Sequence, residues 1–231
     1  MSWTDKKAIQ TILKLRDDFK VIDFVETGTF RGVNARLYSQ YFRTVFTCEI
    51  NEEYYKEAKE NCKNYKNIHI GNIDSPSFLK GLYKCFLPPP LFYLDAHFYD
   101  SSLPKEKRFV VLDELKSLSG LNNCIIVIHD FDCADLGHIT YDGVSLNFDL
   151  VKESLMKVNP NFKFYTNKKE FCDIITVEEV KEGKIKGIEA TEDVLDNLNY
   201  VWSNEEKTYR GILYCTPREL DLSKYELEEL K

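Results

Sequence analysis

Strand-like and helix-like segments alternate along this chain from Lys20 onward, and no other feature constrains the fold as strongly. Five short apolar runs are typical of strands: KVIDFVE, TVFTCEI, NIHIG, LFYLD and NCIIVIHD. The last two are continuously apolar, as strands covered on both faces are. A stretch with helical spacing follows each run. Repeated strand–helix units imply right-handed crossovers, so the sequence predicts an α/β fold with a doubly wound, mostly parallel sheet and helices on both faces.

The remaining segments extend this plan at both ends. An amphipathic helix is expected over about 4–18, and LNFDLVKESLMKV is expected to be helical. NFKFYTN and YRGILYCTP are strand candidates, and the charged stretch 168–207 between them indicates an insertion or flap. A chain of 231 residues suits one well-buried core, so a single domain over 1–231 is predicted.

Composition excludes several classes of protein. With 43% hydrophobic and 30% charged residues the chain is expected to be globular rather than disordered. A net charge of −7 supplies no broad field for a polyanion, so no nucleic-acid partner is expected. No apolar stretch is long enough for a membrane span, and seven cysteines without a C-x-x-C pair indicate reduced, buried thiols. We therefore expect a cytoplasmic protein without a membrane partner; the oligomeric state stays open.

Polar residues close each of the five predicted strands. They are Glu26, Glu49, Asn72 with Asp74, Asp95, and His129 with Asp130. In open parallel sheets, ligands bind beyond the carboxyl ends of the strands. The sequence therefore predicts a binding site along this edge.

The turn ETGTFRG, which begins at Glu26, indicates which ligand this edge binds. Glu49 closes the second strand, where a carboxylate can accept hydrogen bonds from both hydroxyls of a ribose. A dinucleotide loop has a glycine where this turn has Phe30, and Glu26 would face a dianion there. S-adenosylmethionine carries an ammonium and a sulfonium but no phosphate, and its carboxylate suits the following helix N-terminus. The turn favours S-adenosylmethionine over NAD(P).

The stretches ETGTFRG, CEIN, GNID and LDAH together resemble the class I S-adenosylmethionine-dependent methyltransferases. The resemblance covers about 20–165 and returns at YRGILYC, which would be the antiparallel seventh strand of a Rossmann-like sheet. It implies cofactor contacts from Glu26, Gly28, Thr29 and Gly32 around the methionine part, Glu49 on the ribose, Asn72 and Ile73 near the adenine, and Asp95. This family often has an aspartate where the chain has Asn72, and Asp74 is a candidate substitute. Both glycines also fit plain turn positions.

The stretches LDAHFYD and VIHDFD look like the metal-bearing segments of macrocin-type, metal-dependent O-methyltransferases. Adjacent strand ends lie about 4.8 Å apart, so Asp95 and Asp130 can converge on Mg²⁺. Those enzymes commonly close strand five with two acids, whereas this chain has His129 and Asp130. Because imidazole also suits Mn²⁺, Fe²⁺ or Zn²⁺, the identity of a cation stays open. The alternative is that both aspartates cap the turns after their strands.

The resemblance implies methyl transfer to a hydroxyl of a small molecule or sugar, with Asp95, His97 and His129 as catalytic candidates. A bound metal would lower the pKa of the acceptor hydroxyl, and His97 or His129 would take its proton. Without a metal, one histidine would act directly. The loop DCADLGHITYDGVSLN offers Asp132, His138 and Tyr141 to the acceptor.

Two other functions compete with this hypothesis. A binding protein that kept the fold but lost transfer chemistry is favoured by His129 in place of an acid and Asn72 in place of aspartate. A nicotinamide oxidoreductase is disfavoured by Phe30, which crowds the position where a pyrophosphate approaches the backbone.

Overall fold

The fold is a single twisted sheet with helices on both faces. The computed structural model describes residues 4–82, 86, 89–96, 108–133, 135–203 and 209–230. The strands are β1 (Asp23–Thr27), β2 (Thr44–Cys48), β3 (Ile68–Gly71), β4 (Leu91–Leu94), β5 (Ile125–His129), β6 (Thr140–Tyr141), β7 (Val144–Ser145), β8 (Lys163–Asn167), β9 (Ile212–Thr216) and β10 (Leu227–Leu230). The α-helices are α1 (Lys6–Phe19), α2 (Val33–Ser39), α3 (Glu52–Asn61), α4 (Ser75–Leu82), α5 (Val110–Ser117), α6 (Phe148–Val158), α7 (Val177–Lys181) and α8 (Glu192–Ser203).

The main sheet has the strand order β10-β8-β9-β5-β4-β1-β2-β3. Five neighbouring strands, β5, β4, β1, β2 and β3, are mutually parallel. The strand β9 is antiparallel to both of its neighbours, β5 and β8. The predicted doubly wound, mostly parallel architecture and the antiparallel seventh strand are therefore confirmed.

The described sheet contains eight strands rather than the expected seven. The additional strand, β10, pairs antiparallel with β8 at one edge of the sheet. In its sequence LEEL both Glu228 and Glu229 are exposed, and charged residues are common on an edge strand. The sequence did not predict this strand, because it lacks an apolar run.

Two apolar clusters pack on opposite faces of the sheet. One cluster joins side chains of α1, α2, α7 and α8 to Phe24 of β1 and Val127 of β5. The other joins side chains of α4, α5 and α6 to Val25 of β1 and Ile126 of β5. Adjacent residues of a strand point to opposite faces of the sheet, so their side chains pack into separate helical layers.

The segment expected to be an insertion or flap forms part of the first of these layers. Val180, Ile188, Val194 and Leu198 are buried in the same cluster as Phe24. Over the described part of this segment, the chain covers one face of the sheet.

A two-stranded hairpin, β6 with β7, lies within the loop proposed to contact the acceptor. Its turn, Asp142–Gly143, has positive φ at both residues, which suits a tight hairpin. No helix among the described residues has the length and apolarity needed to cross a bilayer.

Candidate active site

A cleft of about 670 Å³ opens at the carboxyl ends of β1, β2 and β4. Five of the residues predicted to bind the cofactor line this cleft: Gly28, Glu49, Ile73, Asp74 and Asp95. A cleft of this size accommodates a small organic ligand. The sequence therefore located the edge of the sheet at which the large cavity lies.

The turn after β1 uses its backbone amides internally. The amides of Gly28 and Thr29 donate to the Cys48 carbonyl oxygen at 3.1 and 3.0 Å. The amide of Phe30 donates to Glu49 Oε2 at 2.9 Å. A phosphate-binding loop must direct such amides at its ligand. These three amides are occupied, so the turn is unsuited to a pyrophosphate.

Both glycines of this turn are required by the local backbone. Gly28 and Gly32 have φ of +80° and +81°, a region that side chains disfavour. A Cβ at Gly28 would lie 2.8 Å from the Asp95 carbonyl oxygen, and one at Gly32 would lie 2.7 Å from Cys62 Sγ. The conformation of the turn therefore explains by itself why both positions are glycine, and Gly28 in addition lines the cleft.

Among the described residues, Glu49 is one of three acids that line the cleft, together with Asp74 and Asp95. Its Oε1 accepts from the Asn51 amide at 2.9 Å, while its Oε2 accepts from Phe30. Each carboxylate oxygen can accept a further hydrogen bond. The side chain is therefore held by two hydrogen bonds and keeps accepting capacity at the wall of the cleft.

Glu26 lies behind the cleft wall. It is 1% exposed, accepts from Asn34 Nδ2 at 2.6 Å and from Thr47 Oγ1 at 2.8 Å, and does not line the cleft. Burial raises the pKa of Glu26 to about 8, although both hydrogen bonds act in the opposite direction. The carboxyl is thus enclosed behind the cleft wall, and burial favours its neutral form, so the geometry does not present Glu26 to the donor as expected.

Other predicted cofactor residues stabilise the loops around the cleft. Thr29 and Gly32 are buried and lie outside the cleft lining; Thr29 Oγ1 is 2.6 Å from Thr47 Oγ1. Asn72 Nδ2 donates to the Glu49 carbonyl oxygen at 2.8 Å and so fixes the loop after β2. Asp74 accepts from the Ser77 amide at 2.9 Å in the first turn of α4 and also reaches the cleft.

An apolar wall lines the cleft beside Glu49, and only Ile73 among its members was predicted to contact the cofactor. It consists of Phe30, Ile50, Tyr54 and Ile73. The rings of Phe30 and Tyr54 pack with centroids 4.5 Å apart, and Ile50 is 59% exposed. The sequence alone gave no signal for Ile50, because its exposure follows from the fold.

Asp95, His129 and Asp130 form one cluster at the ends of β4 and β5, with one ligand atom of each within 4.8 Å of the others. His129 Nδ1 lies 3.0 Å from Asp95 Oδ1 and 3.4 Å from Asp130 Oδ1. Burial lowers the pKa of His129, but the charges of Asp95 and Asp130 raise it by more, so the net shift is upward. His129 is 1% exposed, so Asp95 is the member that reaches the cleft.

A cation that the sequence did not single out completes this cluster. Arg210 Nε lies 3.2 Å from Asp130 Oδ1. Arg210 comes just before β9, inside the stretch YRGILYC, from which the sequence predicts only the antiparallel strand. The position of β9 beside β5 brings the two residues together.

The remaining candidates are placed as follows. His97 lies outside the described residues. His138 Nδ1 is 3.6 Å from Asp132 Oδ1, and the Tyr141 ring packs on Phe109 with centroids 5.0 Å apart. The hairpin is anchored by an ion pair between Arg108 and Asp142. These contacts place the hairpin beside the start of α5.

No protein-family model matches the chain, and no curated protein matches it. Among solved structures, a Klebsiella pneumoniae protein proposed to be an O-methyltransferase is similar, with 14% identity, a TM-score of 0.50, and coverage of 90% of this chain and 78% of that chain. A SAM-dependent methyltransferase from Anabaena variabilis is similar as well, with 12% identity, a TM-score of 0.49, and coverage of 91% of this chain and 83% of that chain. At such identities the likeness concerns the fold alone. The chain has the Rossmann-like fold of the class I methyltransferases.

Proposed function

We propose that this protein transfers a methyl group from S-adenosylmethionine to a hydroxyl of a small molecule or sugar. The observation that supports this most is the turn after β1, whose amides are occupied by Cys48 and Glu49 at the mouth of the cleft. Such a turn suits a nucleoside ligand without a phosphate. S-adenosylmethionine is a ligand of that kind.

The cleft offers a separate surface to each part of this donor. The Glu49 carboxylate accepts from the ribose hydroxyls, and the wall of Phe30, Ile50, Tyr54 and Ile73 packs against the adenine. The methionine part extends toward Gly28 and Asp95, where a carboxylate attracts the positively charged ammonium and sulfonium. Glu26 supports the turn from behind through Thr47.

The transfer itself is an in-line displacement at the methyl carbon. A bond forms between the acceptor oxygen and the methyl carbon while the carbon–sulfur bond breaks, and its electron pair stays on sulfur. The acceptor proton passes to a base, which we assign to Asp95 because it is the cluster member at the cleft. The products are a methyl ether and S-adenosylhomocysteine. His129 orients Asp95 from behind at 3.0 Å.

Calorimetric titration with S-adenosylhomocysteine tests the donor assignment. We expect binding by the wild type, and at least about tenfold weaker binding by Glu49→Gln, since the loss of charge weakens two ribose hydrogen bonds. Glu52→Gln is the matched control, because Glu52 is exposed on α3 and outside the cleft lining. Titration with NADH runs in parallel. Binding of NADH without binding of S-adenosylhomocysteine would refute the proposal.

A binding protein that retains the donor but not the transfer chemistry is the second candidate. The burial of His129 favours it, because this histidine does not contact an acceptor directly. Release of S-adenosylhomocysteine from S-adenosylmethionine, measured with a panel of sugars, phenols and macrolide alcohols, separates the two. Release that depends on one acceptor class supports the enzyme.

A further inference from the structure

Four charged or polar groups form a continuous row that starts at the cleft. Asp95 lines the cleft, His129 Nδ1 lies 3.0 Å behind it, and Asp130 Oδ1 lies 3.4 Å from the same nitrogen. Arg210 Nε ends the row, 3.2 Å from that Asp130 oxygen. The row therefore alternates acid, imidazole, acid and guanidinium.

The Arg210 backbone is fixed on both sides. Its carbonyl oxygen accepts from Asn167 Nδ2 at 2.8 Å, and Asn167 Oδ1 accepts from the Ile212 amide at 2.8 Å. On the other side, the Gly137 amide donates to the Tyr209 carbonyl oxygen at 2.8 Å. The guanidinium also donates through Nη1 to the His138 carbonyl oxygen at 3.5 Å. The charge is consequently held in place before any ligand binds.

Close backbone packing next to Arg210 adds to this constraint. The Phe131 amide donates to the Gly211 carbonyl oxygen at 2.9 Å, and a Cβ at Gly211 would lie 1.9 Å from the Phe131 carbonyl oxygen. Only glycine permits this approach. The Arg–Gly pair thus brings a guanidinium against the end of β5.

This arrangement does not fit a divalent cation, although carboxylates and imidazole are common ligands. The Asp130 oxygen nearest His129 is already paired with Arg210. A Mg²⁺ at about 2.1 Å from that oxygen would lie within about 5.3 Å of the guanidinium nitrogen. Two like charges at that distance repel, and in a partly buried site they repel more strongly than in water.

We propose that Arg210 is the built-in cation of this cluster, and that it takes the place of a divalent metal by neutralising Asp130 and positioning His129 behind Asp95. Arg210 is thus a positioning residue. Its effect on methyl transfer rests on the proposed function, whereas its effect on cation binding does not. A failure of either part is therefore distinguishable from a failure of the other.

Titration with Mn²⁺, followed by the electron paramagnetic resonance signal of the free ion, tests the proposal without any donor. We expect the wild type to bind Mn²⁺ no more tightly than about 1 mM, and Arg210→Gln to bind at least about tenfold more tightly, because the competing charge is removed. The double variant Arg210→Gln with Asp130→Asn is expected to lose this gain.

Two controls make the test specific. Arg210→Lys keeps the positive charge and is expected to exclude Mn²⁺ as the wild type does. Arg43→Gln breaks a comparable Arg–Asp pair, in which Arg43 Nη2 lies 3.0 Å from Asp23 Oδ2 at the opposite end of β1, and is expected to bind no Mn²⁺.

Wild-type binding of Mn²⁺ tighter than about 0.1 mM would overturn the proposal, whether or not Arg210→Gln folds. Equal Mn²⁺ affinities of the wild type and a folded Arg210→Gln would overturn it as well. Circular dichroism establishes folding in each case. The titration of S-adenosylhomocysteine described above is carried out separately and reports only on the donor site.

Discussion

Replacement of Glu26 by glutamine is expected to make the protein more stable as the pH rises, relative to the wild type. Glu26 is enclosed by β1, β2 and α2, with Asn34 and Thr47 as hydrogen-bond partners. Burial raises the pKa of Glu26 from 4.5 to about 8. Folding therefore favours the protonated carboxyl, and glutamine is a neutral group of the same shape.

The magnitude follows from linkage. Because the folded-state pKa lies above the unfolded value, the contribution of Glu26 is fully present below pH 4.5 and is lost as the pH rises from 4.5 to 8. One pKa unit corresponds to about 1.4 kcal/mol, so the loss is on the order of 5 kcal/mol by pH 8. This is a large fraction of the stability of a typical domain.

Urea unfolding at a series of pH values from 4.5 to 8.5 measures this effect. The difference in unfolding free energy between Glu26→Gln and the wild type is expected to grow in favour of the variant by several kcal/mol over this range. Glu53→Gln, an exposed site on α3, is the control and is expected to show a constant difference. A constant difference for Glu26→Gln too would show that Glu26 is ionised in the folded protein, and would refute the argument from burial.

Two further predictions concern the cleft. Gly28→Ala places a Cβ at φ +80° and 2.8 Å from the Asp95 carbonyl oxygen, so we expect a loss of about 1–3 kcal/mol in unfolding free energy, measured by urea denaturation; a loss below about 0.5 kcal/mol would contradict the required conformation. Asp95→Asn is expected to lower the methyl-transfer rate by about 10²–10⁴, measured by single-turnover formation of S-adenosylhomocysteine, because it removes the base. An unchanged rate would assign the proton to another group.

The sequence predicts the fold correctly where burial requires a simple pattern of apolar residues. The strands β4 and β5 are covered on both faces, and their continuously apolar sequences predicted them. Asparagine is a favoured residue at helix N-caps, and Asn51 Oδ1 accepts from the amides of Glu53 and Tyr54 at the start of α3. The strand β10 was missed because its edge position permits charged residues.

The candidate site was readable only in part, because position along a strand does not fix the direction of a side chain. Glu26 and Glu49 both close strands, yet Glu49 faces the cleft and Glu26 packs beneath α2 against Asn34. Arg210 was missed for another reason. It is remote in sequence from Asp130, and only the antiparallel pairing of β9 with β5 brings them together.

The location of β9 between β5 and β8 also bears on how the protein folds during synthesis. A ribosome releases β5 well before it releases β9, so the outer hydrogen-bonding edge of β5 is unpaired until this later strand has been made. Pairing across such a long sequence separation closes slowly. Until it does, the strand IIVIH is an apolar edge that another nascent chain can join.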